Sequence, residues 1–162
     1  PCLALSILFS FLGFLLPIVA YASSPTSTPV EVHVLDVFIG VLACLAVIFA
    51  HEALHALGFL LVGVKPGFHV KRVGLLPVFC VDSSGRAVPP LKFVLVSVLP
   101  VATSTPLLVI LTFFLPKLVF YTSMACAQSL GGSAGDLMFT FVALKRMRPV
   151  VDKGVLIKIL AG

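Results

Sequence analysis

The chain has 162 residues, 60% of them hydrophobic and only 10% charged, with a mean hydropathy of +1.22 and a formal net charge of +5. That composition lies far outside the soluble globular range and marks an integral membrane protein whose length, residues 1–162, suits a single domain. The four cysteines, Cys2, Cys44, Cys80 and Cys126, stand apart with no CxxC pair, which excludes a disulfide framework and a zinc ribbon and leaves the three outside the N-terminus as small apolar packing residues.

In chain order, residues 2–21 are apolar throughout and about the length of a bilayer crossing. Ala20-Tyr21-Ala22 resembles a signal-peptidase site, but the run exceeds a usual signal core, so a first span is the favoured reading. Residues 22–33 form a Ser/Pro/Thr loop ending in Glu31 and His33. Two ligands alone rarely hold a metal, so a solvated loop is expected there. Residues 34–64 form a second span, apolar apart from Asp36 and the stretch His51-Glu52-Ala53-Leu54-His55. As a helix it would run about 46 Å, more than a bilayer core, before Gly63 and Lys65-Pro66 stop it.

The HExxH spacing puts His51 and His55 one helical turn apart on one face, so both imidazoles can reach one metal ion. Glu52 follows the first histidine, where its carboxylate can take a proton from the attacking water of a zinc hydrolase. Ionisable groups are costly inside a membrane helix and usually mark function. The bland alternative is a pair of satisfied core histidines with a buried Glu.

Residues 65–90 change character. Phe68–Val73 and Pro77–Val81 alternate as strands do, Asp82-Ser83-Ser84-Gly85 reads as a turn, and Arg86–Val88 can return. A small hairpin or sheet at the membrane surface is expected, with His69 as a surface residue of it. Residues 91–115 form a third span containing Pro100 and Pro106, whose freed carbonyls need partners. Residues 117–144 form a fourth, with Gly131, Gly132 and Gly135 allowing close approach and Asp136 as an intramembrane carboxylate. The tail, 145–162, is expected to end in a short amphipathic helix. The expected fold is therefore an all-α membrane protein with about four transmembrane helices and a small β insert.

Of eleven Lys and Arg, ten lie within 65–92 or 145–158, and only Lys117 lies elsewhere. The positive-inside bias puts the β insert and the C-terminus in the cytoplasm of a multi-pass cell-membrane protein. The basic balance then reports contact with the lipid bilayer and no nucleic acid. A catalytic zinc commonly has three protein ligands, and depth selects the third. His55 lies ten residues before Lys65, and Asp136 nine before Lys145, on spans that run the same way. Both sit about 14–15 Å inside the cytoplasmic end. Asp36 is near the outer end, and Asp82 and Asp152 lie in cytoplasmic segments. The expected metal ligands are His51, His55 and Asp136, with Zn2+ as cofactor and Glu52 as the catalytic residue.

HEALH in a membrane helix, a short β-like insert, then Gly-Asp in a later span resembles the site-2 protease class of intramembrane zinc metalloproteases. The Ser-Ala-Gly-Asp ending and small size are similar to the putative zincin peptidase membrane family. The resemblance covers roughly residues 34–144. It departs in two places: Gly135-Asp136 reverses the usual Asp-Gly order, and Gln128 or Ser129 stands where relatives tend to carry an asparagine. It implies hydrolysis of peptide bonds in membrane-associated protein or peptide substrates. The rival is a non-catalytic zinc-binding scaffold, pseudoprotease or zinc carrier, which would not need Glu52. A small transporter bundle would call for inverted repeats, and none is visible.

Overall fold

The structure, a computed structural model, describes residues 2–73, 76–147, 149–152 and 157–159. Its frame is four long helices: α1 (Cys2–Ala22), α2 (Val34–Leu61), α3 (Pro90–Phe114) and α4 (Val119–Arg146). Between α2 and α3 lie β1 (Gly67–Val73), β2 (Leu76–Asp82) and β3 (Ala87–Val88), and after α4 come β4 (Val150–Asp152) and β5 (Ile157–Ile159). The chain is an all-α membrane protein with small sheets. Helices suit such a sequence because their backbone groups are satisfied within each segment, as a hydrocarbon environment demands.

Three helices are long and apolar enough to cross a membrane: Leu3–Ala22, Val34–Leu61 and Pro90–Phe114. They turn large apolar side chains outward, among them Phe11, Phe38, Leu42, Leu107 and Ile110. The expected fourth span is a helix too, as long as α2 at 28 residues. It falls short of the other three in apolarity because Ser123, Ser129, Ser133, Asp136 and Thr140 punctuate it.

The chain packs as two compact units. The first comprises Pro1–Ile48 and Val101–Gly135. Small polar groups link its helices, the expected glue between apolar helices. Ser6 Oγ donates to the Gly131 carbonyl (2.9 Å), Thr112 Oγ1 to Thr122 Oγ1 (2.7 Å), and the Ser104 and Ser129 hydroxyls meet at 2.6 Å. At the start of α2 the His33 N–H donates to Asp36 Oδ2 at 2.7 Å, half of a capping box, while the Tyr121 hydroxyl donates to Asp36 Oδ1. Glu31 and His33 line a cavity of about 290 Å³ with Asp36, Lys117 and Tyr121.

The second unit comprises Phe49–Pro100 and Asp136–Gly162. Its core gathers Phe59 from the end of α2, Val62 and Val64 from the turn after it, Val81 and Val88 from the insert, Phe93 and Val96 from α3, Ala143 from α4 and Val150 from β4. α2 stops as the sequence suggests. Gly63 sits at φ +79°, its N–H reaches the Leu60 carbonyl (3.0 Å), and the Val64 N–H reaches Phe59 (2.9 Å). That is a Schellman ending, closed by the buried Phe59 and Val64 side chains. β1 and β2 pair antiparallel from Gly67↔Asp82 to Val73↔Leu76, the expected hairpin.

The tail corrects the sequence reading. No amphipathic helix forms among its described residues; β4 pairs with β3 (Val88↔Val150, Ala87↔Val151) and with β5 (Asp152↔Ile157). Pro149 cannot extend α4, and the β-branched Val150 and Val151 find a distant partner strand.

Candidate metal centre

The site is built within the second unit. One turn of α2 separates His51 from His55, and both residues are 9% exposed. Their rings meet edge to face with centroids 4.8 Å apart, and the two Nε2 atoms are 3.1 Å apart. α4 brings Asp136 to the same point: its Oδ2 lies 3.3 Å from His51 Nε2 and 3.2 Å from His55 Nε2. Three groups, the outermost 85 positions apart in sequence, thus converge on one triangle.

α3 sets the ring of His55. Its Nδ1 lies 3.0 Å from the Val96 carbonyl oxygen, which only accepts, so Nδ1 carries the hydrogen and Nε2 presents its lone pair to the triangle. Two local features make this contact possible. Pro100 has no N–H, so it leaves the carbonyl one turn back, that of Val96, without its helical partner. Gly58 lets α2 and α3 approach: a Cβ there would lie 2.9 Å from Val96 Cα.

The donor set fits a zinc ion. With bonds of about 2.0–2.1 Å, tetrahedral zinc holds its ligand atoms about 3.3–3.4 Å apart, close to the three edges observed here. Two imidazole nitrogens and a carboxylate oxygen are a known zinc ligand set. His55 Nε2 and Asp136 Oδ2 both present lone pairs toward His51 Nε2, and a single proton there cannot serve both well. One cation satisfies all three. Among the described residues this is the one group of three or more His, Cys, Asp or Glu that could hold a metal ion.

Glu52 lies beside the group, and its Oε2 accepts the Val81 N–H of β2 at 2.8 Å. A cavity of about 60 Å³ opens here, lined by Glu52, His55, Asp136, Asp152, Ser97 and Cys80, among others.

A family model described as "Putative zincin peptidase" matches residues 44–150, that is 107 of 162 residues. The chain belongs to this family. No curated protein and no solved structure matches it. The zincin match spans His51, Glu52, His55 and Asp136, together with the hairpin and α3 that surround them.

The remaining sequence candidates fall elsewhere. His69 is exposed on the hairpin, its Nε2 3.3 Å from Asp82 Oδ2. Glu31, His33, Gln128 and Ser129 belong to the first unit, where Ser129 is engaged with Ser104. Cys80 and Cys126 are buried and Cys44 is half-buried. Three site residues escape a reading by sequence. Val96 acts through a carbonyl, which no residue type announces, although Pro100 four positions on is a signal for it. Ser97 is one serine among many. Asp152 reaches the cavity only because β4 pairs with β3, where the Ser83 hydroxyl also donates to the Asp152 carbonyl (3.0 Å).

Proposed function

We propose that this chain is an intramembrane zinc metalloprotease of site-2 protease type that hydrolyses peptide bonds of membrane-associated substrates. The observation that carries the reading is the triangle of His51 Nε2, His55 Nε2 and Asp136 Oδ2, with edges of 3.1–3.3 Å, beside Glu52. His51, His55 and Asp136 hold the zinc, which when bound supplies Lewis-acid polarisation of the scissile carbonyl and makes water acidic enough to attack at neutral pH. Glu52 is the general base. It takes a proton from the attacking water as the new C–O bond forms, then gives it to the amide nitrogen as the C–N bond breaks. The Val96 carbonyl keeps His55 in the tautomer that coordination requires.

β2 pairs with β1 along one edge, and the Val81 N–H points from it to Glu52. An unwound substrate segment can lie against this edge as an added strand, which would bring its backbone to the cavity. The charge distribution orients the protein with the β insert and C-terminus on the cytoplasmic side.

The test is Glu52→Gln in purified protein. The reading expects zinc to stay bound and cleavage of substrate to be lost. Unchanged cleavage would remove Glu52 from its assigned role, and a scaffold or carrier would bind zinc alike with either residue.

A further inference from the structure

The wall of the metal-site cavity is rich in acceptors. Its lining includes three acidic residues, Glu52, Asp136 and Asp152, together with His55. Hydrolysis of a peptide bond puts negative charge on the carbonyl oxygen, and carboxylates cannot stabilise it. A donor aimed at that oxygen can.

Donors are scarce here. The Val81 N–H goes to Glu52, and the Cys80 thiol lies 3.7 Å from the His69 carbonyl. Ser97 remains. It is 2% exposed and lines the cavity, and no hydrogen bond among the described residues uses its hydroxyl. Its Oγ is not one of the sealed-off polar atoms that lack a partner, which among the described residues are Thr105 Oγ1, Ser123 Oγ and Thr140 Oγ1, so it keeps access to the cavity and can meet a group placed there. Its place is fixed, because the adjacent Val96 holds His55 and packs against Gly58. The cavity of about 60 Å³ has room for several water-sized groups in front of it.

We propose that Ser97 is a catalytic residue that touches the substrate: its hydroxyl donates to the scissile carbonyl oxygen as negative charge develops there. The assignment rests on the proteolytic reading above. Ser97 Oγ–H keeps its proton throughout and contributes a hydrogen bond alone, while Glu52 carries the proton from water to the leaving nitrogen.

The experiment uses the full chain in detergent, loaded with zinc, as wild type, Ser97→Ala and Ser97→Thr. Three quantities are read: zinc per chain, the Kd of a phosphinic peptide that mimics the tetrahedral anion, and the kcat and KM for an unstructured casein. Ser97→Ala is expected to keep its zinc, bind the phosphinic peptide at least about 10-fold more weakly, and lose roughly 10- to 100-fold in kcat with KM little changed. Ser97→Thr, which keeps the hydroxyl, is expected to recover most of both. Phosphinic-peptide binding and kcat at wild-type levels in Ser97→Ala would overturn the assignment, as would loss of zinc, which would make the role structural. A wild type that holds zinc but neither binds the phosphinic peptide nor cleaves would instead overturn the proteolytic reading beneath it.

Discussion

His55 shows how the site is held at the level of single residues. Its Nδ1–H is spent on Val96, so its Nε2 faces His51 and Asp136. The acceptor is available because Pro100 withholds the helical N–H. Pro100→Ala returns that donor to the carbonyl and is expected to weaken zinc binding about 10-fold, at the lower end for outer ligand-orienting contacts. Competition against a chromogenic chelator measures it, and an unchanged affinity would show that the freed carbonyl is not what orients the ring. HExxH was legible because two histidines and a glutamate at fixed helical spacing are rare in so apolar a chain. The meeting of Asp136 with the two histidines was legible from position along the helices, since a lysine follows His55 by ten residues and Asp136 by nine. Val96 and Ser97 were not, because a carbonyl and a common hydroxyl carry no pattern.

Among the elements, α2 matters twice. Its contact with α3 passes through Gly58, where any side chain meets Val96 backbone. Gly58→Val is expected to force the two helices apart at a cost of about 1–3 kcal/mol and to lower zinc occupancy with it. Thermal unfolding followed beside metal content checks this, and a stable variant with full zinc would contradict the close-approach argument. At its end, Gly63 at φ +79° has nothing within 4 Å of where a Cβ would sit. Gly63→Ala therefore tests backbone strain without a clash: a loss of about 1–2 kcal/mol is expected, with zinc retained. The hairpin could be read from its alternation and its Asp-Ser-Ser-Gly turn. The tail could not. Val150-Val151 is too short a run to separate strand from helix, and its partner β3 lies about sixty residues earlier in sequence. That pairing also moves Asp152 from an expected surface segment to the cavity wall.

For the whole molecule, composition was enough for the class, because three helices this apolar have few other homes. Composition understated α4, whose polar residues serve packing and the site at once. The expected topology rests on the distribution of charge. Cysteines placed at Lys65 and at Lys117 are expected to react with a membrane-impermeant thiol reagent from opposite sides, the first from the cytoplasm. Labelling of both from one side would contradict this topology, and labelling of Lys65→Cys from outside would reverse it. The central claim is that two turns of α2 and one residue of α4 make a zinc site. Elemental analysis of the detergent-purified protein, with His55→Ala and Asp136→Ala beside it, tests that most directly. The account predicts about one zinc per wild-type chain and loss of it in both variants. A wild type that stays empty after metal reconstitution would contradict it, and zinc retained in Asp136→Ala would remove Asp136 from the ligand set.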